Sequence, residues 1–247
     1  MSADKFRAPH AIVFIPYAGG SACSLPAVRL AVQESRPFVG VQYPGRHAAC
    51  ATQAPRSVGE MADHAVACIR AARLTDVTLF GYSLGALVAH EVALRMQDEA
   101  ACPVRHVVVA ACRPPHLFRG SGMSACQGDE AFLTEVARLG GVPRALLRDA
   151  RRASHFLPVL RADFGVCDRF TYVERGALTL PLTVLGGTRD QLAPLADVTH
   201  WRQHTTNAYR ERILPGDHFF INQHASAAAA LLTLDYVPCC ASMEPVP

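Results

Sequence analysis

A chain of 247 residues in which 50% are hydrophobic and 18% charged is too apolar and too weakly charged to remain disordered. At that length folding buries about 70–75% of the extended surface, enough for one sizeable core without disulfide staples. The net charge of +3 is spread along the chain, with no Lys/Arg block to mark a nucleic-acid or membrane arm, and neither partner is expected. Nine cysteines, an odd number without a C-x-x-C pair, read as free thiols in mostly apolar company. The polar start Met1–Arg7 and the short apolar run that stops at Pro16 do not form a signal sequence. No run reaches the ~18 apolar residues that span a bilayer. A cytoplasmic monomer is expected.

In chain order, short apolar runs alternate with helical patterns, as in the βαβ units of a mostly parallel sheet. Strands are predicted at Ala11–Ile15, Phe38–Gln42, Val77–Phe80, Val107–Ala111, Leu182–Leu185 and Arg212–Leu214. Their near-continuous apolar character fits strands covered on both faces. Helices are predicted at Ser57–Ala72, Ala86–Gln97, Asp197–Thr205 and Ala225–Leu232. In the first of these, Val58, Met61, Ala62, Ala65, Val66 and Ile69 recur at helical spacing. Residues 114–176 break the alternation with helix-like pieces at Glu130–Leu139, Arg144–Ala153 and Pro158–Cys167 and no convincing strand, which reads as an inserted helical lid. The expected organisation is one α/β domain with a core of about residues 10–113 and 177–236, the lid at about 114–176 and a loose tail at 237–247.

The strongest chemical signal is Gly81-Tyr82-Ser83-Leu84-Gly85, which follows a predicted strand and opens a helix. Glycines two residues either side of a serine let strand and helix approach closely around a sharp turn, the nucleophile elbow. A serine is a weak nucleophile at its own pKa and needs a positioned base. Among eleven histidines, His218 stands in the turn after the last predicted strand. Asp190 stands in the turn after Leu182–Leu185, so the chain order serine, acid, histidine is kept. All three follow strands whose carboxyl ends share one edge of a parallel sheet, where α/β proteins assemble their sites. Asp163, Asp197 and Asp217 compete for the acid, and His224 for the base. The backbone N–H of Leu84 is the first expected oxyanion donor; that of Ala18, in Pro16-Tyr17-Ala18-Gly19-Gly20-Ser21, is the second. His200 and His204 have the i, i+4 spacing of metal ligands, but no acidic partner follows at zincin spacing, and no metal is expected. The lack of a G-x-G-x-x-G motif leaves no cofactor expected either.

Six blocks then occur in order: Phe14–Ala22, Gln42–Arg46, Gly81–Gly85, Leu139-Gly140-Gly141 with Pro143, Leu157–Phe164 and Pro215–Phe220. Together, over residues 10–232, they resemble the type II (stand-alone, editing) thioesterases of nonribosomal peptide and polyketide synthases. The resemblance implies an α/β-hydrolase fold and hydrolysis of acyl groups from the phosphopantetheine arm of an acyl or peptidyl carrier protein, clearing stalled or misprimed units. Carried over by position, it makes Ser83 the nucleophile, His218 the base, Asp190 its orienting acid, and Ala18 and Leu84 the oxyanion donors. Two positions depart from the family's habit: Gln191 stands where Pro often follows the acid, and Cys112 where Ser is commoner.

The acyl pocket is expected to draw on Tyr17, Tyr82, Phe156 and Phe164. Between Arg138 and Arg175, eight Arg face four acidic residues, an excess that suits docking of an acidic carrier, with Arg151 and Arg152 in contact. Fold and triad do not fix the acyl acceptor, so an esterase or acyltransferase on the same scaffold stays open, as does a non-catalytic carrier-protein-binding partner.

Overall fold

In a computed structural model that describes residues 10–46, 53–100, 104–140 and 150–234, six strands form one sheet in the order β2-β1-β3-β4-β5-β6. They are β1 (Ala11–Ile15), β2 (Phe38–Gly40), β3 (Val77–Tyr82), β4 (Val104–Ala110), β5 (Leu182–Gly187) and β6 (Tyr209–Leu214), each paired parallel to its neighbours. The described helices are α1 (Pro26–Gln33), α2 (Val58–Ala71), α3 (Leu84–Met96), α4 (Asp129–Leu139), α5 (Ala150–Arg169), α6 (Leu195–Val198) and α7 (Ala225–Leu232). Side chains along a strand alternate between faces, so each strand feeds two layers. Val13, Ile15, Leu79, Val107 and Val109 pack with α2 and α3. Ile12, Phe14, Phe80, Val108 and Ala110 pack on the other side with α1 and α7. Cover on both faces is why these strands read as unbroken apolar runs.

The chain adds β2 on one side of β1 and β3 on the other, and at such a reversal a crevice opens beyond the carboxyl ends of the strands. β6 closes one edge of the described sheet, with half-buried and exposed residues alternating from Tyr209 to Ile213. Between β4 and β5 the described residues contain helices and turns but no named strand. This insertion has a small core of its own, built from Met123, Phe132, Val136, Leu160 and Phe164. None of the helices among the described residues is long and apolar enough to cross a membrane.

Several boundaries differ from the sequence pattern. β2 is shorter than expected, although the Val41 N–H still donates to the Phe14 carbonyl at 2.8 Å. α1 has no counterpart in the pattern because only Val28 and Val32 are buried along it, too short a stripe to register; Pro26 in its first turn is the signal that survives. Pro158 does not open a separate helix. α5 runs through it, since a proline removes one intrahelical bond while Leu160, Phe164 and Cys167 stay buried beyond it. The single helix expected at Asp197–Thr205 is instead α6 followed by a 3-10 turn over Thr199–His204, whose buried Trp201 donates its indole N–H to the Cys112 carbonyl at 2.8 Å. Of the piece expected at Arg144–Ala153, residues 144–149 lie outside the described residues, as do the side chains of Arg151 and Arg152 and the tail with Cys239 and Cys240.

Candidate active site

β3 passes into α3 with Ser83 as the one residue between them, at φ 53° and ψ −120°. For a residue with a side chain this conformation stores about 1–3 kcal/mol of strain. Sterics account for the flanking glycines. A Cβ at Gly85 would stand 2.1 Å from the Ile15 carbonyl oxygen, and one at Gly81 would stand 2.2 Å from the Gly85 carbonyl oxygen. The Ser83 N–H donates to the Ala110 carbonyl at 2.8 Å, which ties the turn to β4. The serine therefore sits at the amino end of α3, where unpaired N–H groups and the helix dipole favour negative charge.

His218 and Asp190 arrive from the two strands at the far side of the sheet. The Thr188 N–H donates to the Leu214 carbonyl at 2.9 Å and the Arg189 N–H to the Gly216 carbonyl at 2.8 Å, lacing the turn after β5 to the turn after β6. His218 Nδ1 lies 2.9 Å from Asp190 Oδ2 and 3.0 Å from Oδ1, and Nε2 lies 3.1 Å from Ser83 Oγ. Asp190 Oδ1 also accepts the N–H groups of Leu192 at 2.9 Å and Ala193 at 3.1 Å, which fixes the carboxylate in its own turn. Both Asp190 and His218 are buried.

The competing residues are engaged elsewhere. Asp197 pairs with Arg113 at 2.7 Å, Asp163 with Arg46 at 2.5 Å, and Asp217 accepts the Phe219 N–H at 3.2 Å. His224 Nε2 lies 2.8 Å from the Pro215 carbonyl. His200 and His204 do not converge: His200 is exposed beside Gln203, while His204 is buried with Nε2 2.7 Å from His116 Nδ1. The His90 ring meets His204 edge-on at 5.0 Å. Burial, with a neighbouring imidazole adding to it, pushes His90 down to about 3 and His204 down to about 4.

Beside Ser83 and His218 lies a pocket of about 730 Å³, open solvent at its mouth included. Its apolar wall comes from the insertion through Phe118, Val136, Leu139, Leu160 and Phe164, and from the thiols Cys112 and Cys167. Burial raises both thiols above their ordinary range, so they face the pocket as neutral apolar groups. Of the residues singled out in the sequence, Tyr17, Ala18, Leu84 and Phe164 line it.

Two expected lining residues lie outside it. Tyr82 precedes Ser83 on the strand and so faces the opposite layer. There it stacks on Phe219 and donates its hydroxyl to the His218 carbonyl at 2.6 Å. Burial pushes that hydroxyl well above its ordinary pKa, which keeps it a donor. Phe156 shares a helical face with Leu160 and Phe164, but it lies about 12 Å along the axis from Phe164, past the pocket edge, and is 42% exposed. Among the wall residues the sequence reading missed, Leu160 carried a signal, its place one turn before Phe164.

Strand order, parallel pairing and the turn that carries Ser83 define an α/β-hydrolase. The chain belongs to the family described as Thioesterase domain, which matches residues 10–233, and within it to the type II thioesterases, hydrolases of thioesters. It is 34% identical over 215 residues to thioesterase PikA5 of Streptomyces venezuelae, covering 85% of this chain and 75% of that protein. In two other curated relatives the match covers 59% of the protein, over 216 residues in one and 156 in the other. Among solved structures it is similar to the RedJ thioesterase of the prodiginine biosynthetic pathway in Streptomyces coelicolor. That likeness has a TM-score of 0.81 and 32% identity, covering 90% of this chain and 84% of that one. The type II thioesterase BorB of the borrelidin biosynthetic cluster gives a TM-score of 0.79 at 27% identity, covering 90% of each chain.

Proposed function

We propose that this chain hydrolyses acyl groups from the phosphopantetheine arm of acyl or peptidyl carrier proteins, clearing stalled or misprimed units in nonribosomal peptide or polyketide biosynthesis. The observation that carries the reading is the continuous line of contacts from Ser83 Oγ through His218 to Asp190 beside an apolar pocket. Ser83 Oγ attacks the thioester carbonyl carbon while His218 Nε2 takes its proton. Collapse of the tetrahedral intermediate breaks the C–S bond, and His218 returns the proton to the departing thiol. Water then attacks the acyl-serine with His218 again as base, releasing the free acid and restoring the hydroxyl. Asp190 accepts the Nδ1–H, keeps the imidazole in the useful tautomer and stabilises its charged form. The N–H of Leu84, at the first turn of α3, and that of Ala18 are the oxyanion donors. The insertion acts as a lid over the acyl chain, Tyr17 and Phe164 contact that chain, and the enzyme works as a cytoplasmic monomer.

The test is a panel of acyl groups on one carrier protein, with acyl-pantetheine and an oxygen ester beside it, read by intact mass. The parent protein should release free acid from the acyl-carriers, and Ser83→Ala should not exceed background. Hydrolysis by Ser83→Ala at the parent rate would overturn the reading, and faster turnover of the oxygen ester would move the chain to the esterases.

A further inference from the structure

One carboxylate outside the Ser83–His218–Asp190 line joins the insertion to the catalytic end of the sheet. Asp163 on α5 is 3% exposed, and its Oδ2 accepts two donors. The Gly19 N–H donates to it at 2.6 Å and Arg46 Nη1 at 2.5 Å. Arg46 comes from the segment after β2 and is buried as deeply, its guanidinium 5.4 Å from the centre of the Tyr43 ring. One turn before Asp163, Leu160 presses on the same loop: a Cβ at Gly19, whose φ is +77°, would stand 2.4 Å from Leu160 Cδ2. α5 therefore grips Gly19 through one polar and one apolar contact on a single helical face.

A buried ion pair is an expensive way to gain stability, because desolvation of both charges offsets most of their attraction. What this pair does achieve is orientation. Peptide units are planar, so once the two flanking α-carbons are placed, fixing the carbonyl oxygen of a unit also fixes its N–H. The Tyr17 carbonyl accepts the Gly20 N–H at 2.8 Å, which sets the unit containing the Ala18 N–H. Asp163 holds the next unit through the Gly19 N–H, so both planes that meet at Ala18 are clamped. Burial raises the Asp163 carboxyl above its ordinary pKa, while Arg46 and the Gly19 N–H pull it back toward the charged form that accepts both bonds.

We propose that Asp163, held by Arg46, is a positioning residue of the reaction: it aims the Ala18 N–H at the oxyanion, and it makes that aim depend on α5 being seated. The inference rests on the function proposed above. A misaimed donor costs less than a deleted one, so Asp163→Asn and Arg46→Met should each lower kcat about 10- to 100-fold with KM within about twofold. The measurement is kcat per serine titratable by a fluorophosphonate, together with KM and the pH profile of kcat/KM. The profile should keep the parent's shape, since His218 and Asp190 are untouched, and Arg46→Lys should recover most of what Arg46→Met loses. The proposal fails if kcat per labelled serine stays within about threefold of the parent while only the labelled fraction drops, because that is a purely structural role. It also fails if KM rises with kcat kept. Should Asp163→Asn not fold, the two Arg46 variants carry the same decision. Ser83→Ala is run alongside. If it retains activity, the functional reading itself falls, whereas a silent Ser83→Ala with parent-like Asp163→Asn refutes this inference alone.

Discussion

The carboxyl end of the sheet and the insertion above it are held by different forces. Around Ser83 the constraints are made of backbone: a serine at positive φ, glycines with no room for a Cβ, and turns laced carbonyl to N–H. The insertion rests on side chains. Five residues make its own core, and Asp168 staples its first loop by accepting the N–H and hydroxyl groups of both Ser121 and Ser124. Arg161 lies over Phe132 and pairs with Asp129 at 2.9 Å. Backbone register tolerates no drift, while side-chain packing can be rearranged at moderate cost. The Ser83 turn belongs to the rigid part and the pocket wall to the adaptable one.

The largest test of that contrast is Ser83→Ala, expected to lower kcat by about 10⁴- to 10⁶-fold with little change in melting temperature, since it removes one hydroxyl and no packing. Gly85→Ala should break the rigid part outright. A Cβ pressed on the Ile15 carbonyl is expected to cost about 3 kcal/mol or more, read as a fall in the urea midpoint or as loss of soluble protein. In the adaptable part, Val136→Ala should cost only about 2 kcal/mol by the same measurement. It should also shift the acyl panel toward bulkier chains while kcat on the best substrate changes no more than a few-fold. If it abolishes turnover of every acyl group, the division between the two regions is wrong.

Acid probes the seam between them, where His116 of the insertion meets His204, which in turn meets His90. Unfolded imidazoles titrate near pH 6.5. In the folded chain His90 is pushed down to about 3, with Arg175 adding to the effect of burial, and His204 to about 4. Between pH 6.5 and those values the unfolded state binds more protons, so this stability is complete above about pH 6.5 and is lost as pH falls toward 3. The urea midpoint should drop over that window, and His90→Leu should flatten the drop. The smallest effect expected is that of Tyr82→Phe, which deletes the bond to the His218 carbonyl for about 1 kcal/mol and should lower kcat/KM only a few-fold.

The line from Ser83 through His218 to Asp190 was legible in the sequence because each part of it is local. Gly81–Gly85 announces its own turn, Asp190 follows a strand that the apolar pattern reveals, and His218 follows Arg212–Leu214, the predicted end of β6. Choosing Asp190 over Asp163 needed only the order of elements, whereas learning that Asp163 grips Gly19 needed coordinates, because 144 residues separate them. The wall was harder to read. Pro158 hides the continuity of α5 and with it the helical phase linking Phe156 to Leu160 and Phe164. Helical phase also says which way Phe156 points but not that the pocket ends before reaching it.

His218 hangs from an edge ribbon. β6 is bonded to β5 alone among the described strands, and the loop that carries His218 begins where β6 ends. Edge ribbons fray at lower temperature than the layers they border. On warming, the imidazole should therefore swing away from the serine while the interior is still intact, and heat would silence the enzyme some degrees before it melts.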